Sequence, residues 1–189
     1  MLGGCTVKSV YVTPDYHDNE SNYLKRIHLY ISSTKLDKDQ KKLFVQMSRK
    51  FISRKKDYIV YPQENIDKSI SSEADQKSIC KSSKDINGII INEVSRSIVK
   101  KNWIDLAISS RLVDCKNNKV VWKSTSENKF KMDGFKVSVL VKSYLNSNPE
   151  SVRSFIPPFY DLIRTHFLSL PNPKLTEDEI DEKIEVDTE

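Results

Sequence analysis

Residues 103–130 read WIDLAISSRLVDC (Trp103–Cys115), KNN (Lys116–Asn118) and KVVWKSTSENKF (Lys119–Phe130). Two long strand-like runs rich in β-branched and aromatic residues flank Asn117-Asn118, a pair that tolerates the left-handed backbone a two-residue hairpin turn demands. This stretch predicts an antiparallel hairpin, with Leu112, Val120 and Trp122 facing a core and Arg111 and Asp114 as partners at its edge. Working outward, Val7–Thr13 is a short strand stopped by Pro14, and Leu24–Ser32 a second with Ile27, Leu29 and Ile31 on one face. Asp57–Tyr61 and Ile86–Val94 add two more strands. Residues 63–85, rich in Ser, Lys and Asp, read as a partial helix or a long loop.

Helices are announced by spacing and by caps. Asp37 with Gln40 forms a capping-box variant ahead of a helix running to about Lys55, whose Leu43, Phe44, Met47, Phe51 and Ile52 share one face. Phe135–Leu145 and Pro157–Leu168 are the other helical stretches. Pro157-Pro158 suits a helix start, and Phe159, Leu162, Ile163 and Phe167 form an inward stripe. Strands mixed with amphipathic helices imply an α/β (α+β) domain: one mixed β-sheet with helices packed on it, over residues 6–171.

Composition bounds the function. The 189 residues carry 38% hydrophobic and 30% charged side chains, and no apolar run approaches the roughly 18–20 residues of a membrane-spanning helix. Of four glycines only Gly88 and Gly134 lie in the body of the chain, so neither G-x-x-x-x-G-K nor G-x-G-x-x-G occurs and no nucleotide or dinucleotide cofactor is implied. His17, His28 and His166 are far apart, each reading as a surface or strand residue, and no C-x-x-C is present, so no metal site is expected. No G-x-S-x-G elbow or local Cys–His signature marks a nucleophile, and the carboxylates are scattered. No catalytic residue is nominated, and the chain reads as a non-enzyme.

The net charge of +5 conceals two parts. Between Glu177 and Glu189 lie eight acids and one base, −7, so the preceding 176 residues carry +12. Residues 172–189 are read as an acidic, disordered tail. On the helix after Asp37, Lys41, Lys42, Arg49, Lys50, Arg54 and Lys55 form a basic face suited to an anionic surface.

At the N-terminus, Leu2-Gly3-Gly4-Cys5 matches a lipobox: an aliphatic residue, two small residues, then the cysteine that takes the lipid. These first five residues read as a lipobox remnant whose basic and apolar leader is truncated, with Cys5 as the lipidation site. Setting Cys5 aside leaves Cys80 and Cys115, either a disulfide pair in an oxidising periplasm or two unpaired thiols.

Lipobox, Thr13-Pro14 strand, amphipathic helix, Asn87-Gly88-Ile89-Ile90, and Arg111-Leu112-Val113-Asp114 before Val120-Val121-Trp122 together resemble uncharacterised envelope lipoproteins of spirochaetes and myxobacteria. The hairpin is also similar to periplasmic α/β modules of curli-secretion lipoproteins and penicillin-binding-protein activators. The resemblance implies a lipid-anchored periplasmic domain that binds protein partners and carries no active site; with the basic helix face, the chain is expected to hold the outer membrane through its N-terminal lipid, facing the periplasm, and to bind an envelope protein or anionic lipid. The competing reading is a cytosolic protein binding nucleic acid through the basic helix over 38–56. The absence of aromatics on that face and of RRM, KH or zinc-finger strings counts against it.

Overall fold

The computed structural model describes residues 6–16, 23–62, 70, 72–83, 85–132 and 138–188. Six strands form one sheet: β1 (Thr6–Val12), β2 (Arg26–Ser32), β3 (Ile59–Val60), β4 (Gly88–Lys100), β5 (Trp103–Asp114) and β6 (Val120–Lys131), in the order β1-β6-β5-β4-β2-β3. The β1–β6, β6–β5 and β5–β4 pairs are antiparallel, and β4–β2 and β2–β3 are parallel, so the sheet is mixed as expected.

The hairpin forms with a different turn. Asp114 and Lys119 close a four-residue loop in which Asn118 alone takes positive φ, at 59°, and donates its backbone N–H to Asp114 at 2.8 Å. The Asn117 side-chain carbonyl accepts from the Lys119 N–H at 2.8 Å, an Asx-type bond that shapes the loop locally. β4 runs six residues past its expected end at Val94 because it pairs with β5 along that strand's whole length, to Lys100–Trp103. Its first residue, Gly88, leaves little room for a side chain. A Cβ at Gly88 would lie 3.0 Å from the Val113 carbonyl oxygen and 3.3 Å from side-chain carbons of both Leu24 and Leu112.

Helices cover both faces. α1 (Lys38–Lys55), α3 (Val139–Ser147), the short α4 (Glu150–Arg153) and α5 (Ile156–Phe167) pack on one side, over Ile27, Leu29, Ile31, Ile90, Leu106 and Ile108. Asp37 caps α1 with the full reciprocal box to Gln40. Phe44 of α1 meets Phe159 of α5 edge-on at 5.3 Å between ring centres. On the other side α2 (Glu73–Ser82), within the segment left open between helix and loop, buries Ile79 against Tyr30, Ile89, Ile91 and Val113. The rest of that face is solvated and carries an ion-pair ladder, Lys8–Glu127–Arg96–Asp105.

Cys80 on α2 is disulfide-bonded to Cys115 just past β5, closing a loop of 35 residues with Cα atoms 5.2 Å apart. Restricting the unfolded chain over that length stabilises the fold by about 4 kcal/mol. Replacing both cysteines by serine is therefore expected to lower the urea midpoint and to steepen the slope, because the released unfolded chain exposes more surface. An unchanged midpoint would show that the bond adds nothing.

The acidic tail is ordered, contrary to the sequence reading. Glu177–Thr188 forms α6, seated against the edge strand β3. The reason is charge and capping. Lys25, only 8% exposed, needs a counter-ion and finds Glu179 at 2.6 Å; Arg26 clamps Glu182 with two guanidinium nitrogens. The Glu179 carboxylate also accepts the Thr176 N–H at 2.8 Å, half of a capping box. Val186 is buried, and its carbonyl accepts from Arg49 at 2.6 Å.

Candidate functional site

The expected basic face divides in three. Lys41 and Lys42 lie on the first turns of α1, about 12 Å along the helix from Lys50. Arg49 is turned inward and committed to structure, donating to the Val60 carbonyl at 3.0 Å and to Val186 of α6. Lys50, Arg54 and Lys55 remain exposed, at the C-terminal half of α1 where cations suit the helix dipole.

These three rim a groove of about 460 Å³ between α1, α3 and α5, and the sequence reading did not assemble it. Its floor is apolar: Met47 and Phe51 from α1, Leu140 and Tyr144 from α3, Tyr160 and Ile163 from α5, with Leu168 at one end. Phe51, expected in the core, is half-buried here. Arg164 from α5 completes the cationic rim. Arg54, Lys55 and Arg164 make no ion pair among the described residues. Lys50 Nζ sits 5.7 Å from the centre of the Tyr144 ring, a cation–π arrangement. Burial pushes the Tyr144 phenol above its ordinary pKa against the pull of Arg54. Burial likewise raises the Asp161 carboxyl, against Arg164 one turn along.

Leu168 is 60% exposed, and Val139, next to Leu140, is 86% exposed. Leu168 thus stands in water at the end of the groove, beside its cationic rim. The signal available in sequence was the helix over 157–168: Tyr160, Arg164 and Leu168 recur at four-residue spacing, off the inward stripe.

His166 corrects its expected place as a surface or strand residue: it is wholly buried on α5. Its Nδ1 lies 2.8 Å from Ser126 Oγ and its Nε2 2.8 Å from Ser110 Oγ. The Asn92 amide nitrogen donates to the Tyr30 carbonyl, so its oxygen accepts the Ser110 hydroxyl at 2.6 Å. That order makes Nε2 the protonated nitrogen, donating to Ser110, and leaves Nδ1 to accept from Ser126. Burial lowers the imidazole pKa to about 3, so the ring is neutral. The contacts are those of serine–histidine chemistry, but Ser110 and Ser126 are as buried as the ring and no substrate reaches them. The relay is interior structure. His28 lies on β2, half-buried and edge-on to Tyr30 and Tyr61.

Among the described residues no cluster of His, Cys, Asp and Glu could hold a metal ion, and no helix is long and apolar enough to cross a membrane. Cys5, His17 and Gly134 lie outside the described residues.

No protein-family model matches the sequence, and no curated protein sequence matches it. Solved structures are similar in fold. A PelC dodecamer from Paraburkholderia phytofirmans matches with a TM-score of 0.56 at 12% identity, over 90% of this chain and 99% of that one. A variant of that dodecamer in another crystal form gives 0.52 at 11% identity, over 92% and 100%. Lipoprotein GNA1162 from Neisseria meningitidis gives 0.47 at 14% identity, over 65% and 96%. At these identities the fold is what is shared: this chain has a sheet-and-helix architecture of the kind found in the bacterial PelC subunit.

Proposed function

We propose that the chain is a lipid-anchored, non-enzymatic binding module of the bacterial envelope, held to the outer membrane through Cys5, facing the periplasm and using the α1–α3–α5 groove as its contact surface. The observation that carries this reading is the groove itself: an apolar floor under Lys50, Arg54, Lys55 and Arg164 offers binding chemistry. The seryl and imidazole groups of the interior relay are closed to substrate. Leu2-Gly3-Gly4-Cys5, one residue ahead of β1, supports the anchor. The Cys80–Cys115 bond supports an oxidising compartment, where disulfides persist.

The expected result is palmitate incorporation that is lost in Cys5→Ala and a protein that fractionates with membranes. A cytosolic, unlabelled protein would return the reading to the nucleic-acid alternative. For the surface, the Lys50→Glu/Arg54→Glu double variant is expected to bind phosphatidylglycerol vesicles at least tenfold more weakly while keeping a cooperative melting transition. Each neutralised contact of this kind contributes about 1 kcal/mol near an anionic membrane, and reversal doubles the loss.

A further inference from the structure

The cations that border α6 are all engaged by it or by nearby carbonyls. Lys25 and Arg26 hold Glu179 and Glu182, Arg49 holds the Val60 and Val186 carbonyls, and Lys56 donates to the Leu168 and Leu170 carbonyls at 3.0 and 2.6 Å. The groove rim makes no ion pair among the described residues: Asp161 lies one turn from Arg164, and Asp187, which accepts from Ser53, lines a recess beside Lys50 and Arg54. Beneath it lies an apolar floor made by Met47 and Phe51, about 6 Å apart along α1, with Leu140 and Tyr144 of α3 and Tyr160 and Ile163 of α5. Positive charge at the mouth and apolar side chains below are complementary to one kind of molecule, with an anionic end and a hydrocarbon end.

Resting on the reading of this groove as the contact surface, we infer that it is a site for a single-chain anionic amphiphile drawn from the anchoring membrane. One acyl chain lies on Met47, Phe51, Leu140 and Ile163, and a phosphate head group meets Lys50, Arg54 and Arg164. Size favours this occupant over a protein segment. About 460 Å³ falls in the range of small-molecule pockets, roughly 300–1,000 Å³, whereas a stable protein partner needs about 800 Å² of matching surface on each side. The two arginines supply planar donor forks that match phosphate oxygens, and Met47 gives the floor a side chain able to adapt to a flexible chain.

The test is calorimetric titration of the full chain with myristoyl lysophosphatidylglycerol below its micelle concentration. Lysophosphatidylcholine of the same chain length is the comparison. Saturable one-to-one binding is expected, at least tenfold weaker for the choline head group. Lys50→Glu/Arg54→Glu is expected to reduce affinity for the glycerol lipid at least tenfold. Leu140→Trp, which fills the groove and leaves the charges in place, is expected to do the same while vesicle binding persists. Melting curves show that each variant is folded. No saturable binding, or equal binding of both head groups, overturns the amphiphile site. If vesicle binding still falls with the charge reversals, the proposed surface stands without it. Displacement of the lipid only by an acidic amphipathic peptide that binds more tightly would assign the groove to a protein partner and overturn the inference.

Discussion

A chain lacking residues 174–189 is expected to melt about 10 °C lower than the full protein and to self-associate. The loss has three physical parts. Lys25 and Arg26, only 10% and 29% exposed in their side chains, would lose Glu179 and Glu182 and remain as unanswered charge at the sheet edge. Breaking a well-buried pair costs about 3–5 kcal/mol, and partial exposure brings this interaction toward the lower end. Val186 would lose its burial, and Arg49 and Ser53 their bonds to Val186 and Asp187. Last, β3 would present an uncovered strand edge, a template for pairing with another copy. A total of about 4 kcal/mol corresponds to roughly 8–16 °C for a domain of this size.

Point variants separate the ion pairs from the cover. Glu182→Gln removes the charge, keeps the helix, and is expected to cost less than half as much without inducing association. The acid dependence follows from the same contacts. The Arg26 bond lowers the Glu182 pKa against burial, with help from Tyr61. Burial pushes Glu179 up, but Lys25 and the Thr176 backbone together hold it below its ordinary value. Folded values below unfolded ones mean stabilisation present above about pH 4.3 and lost as pH falls through the folded pKa values. Thermal melts and size-exclusion chromatography, at pH 7 and at pH 4, read both effects. A truncated chain that melts with the full protein would show α6 to be an ornament.

Replacing His166 by alanine is expected to cost about 4 kcal/mol at pH 7. The side chain is wholly buried between Trp122, at 5.7 Å between ring centres, and Phe167, at 5.1 Å. Deleting it leaves a cavity and also strands the Ser110 and Ser126 hydroxyls. His166→Phe keeps most of the volume and is expected to cost about 2 kcal/mol, the polar part alone.

The pH profile distinguishes this group from the carboxylates. An imidazole held down to about 3 in the fold, against about 6.5 when unfolded, is protonated first in the unfolded chain. Its neutrality costs nothing above pH 6.5 and weakens the fold progressively as pH falls from there toward 3. The slope approaches about 1.4 kcal/mol per pH unit, a loss on the order of 3 kcal/mol by pH 4.5. Urea midpoints measured from pH 7 to 4.5 should therefore fall steeply in the wild type and more gently in His166→Phe. His28, also lowered by burial, adds a slope of the same sign. Parallel profiles in the two proteins would mean that the ring is not held neutral.

The groove was half legible. Lys50, Arg54 and Lys55 were visible as a basic helix face, but Arg49, one residue from Lys50, could not be separated from them by type or charge. Its guanidinium is spent on α6, which sequence reading had placed in solvent. Composition and local signal conflict in that segment. Eight acids in thirteen residues suggested disorder. Yet Thr176 and Glu179 stand at capping-box spacing, and Ile180, Ile184 and Val186 punctuate the run. The hairpin turn failed more narrowly: two consecutive asparagines permit a two-residue turn, but Asp114 and Asn118 bond four residues apart and make a longer one.

What the sequence determined by itself was periodicity. The long hairpin strands, the α1 and α5 stripes and the Asp37 cap are encoded in residues near one another, so they were readable without neighbours. What only the tertiary structure decided were partnerships across long separations: Lys25 with Glu179, Arg26 with Glu182, Cys80 with Cys115, Ser126 with His166. A side chain's charge or polarity states that it needs a partner. Which partner it finds, and which cations are left over to rim a groove, depends on how the helices pack against the sheet.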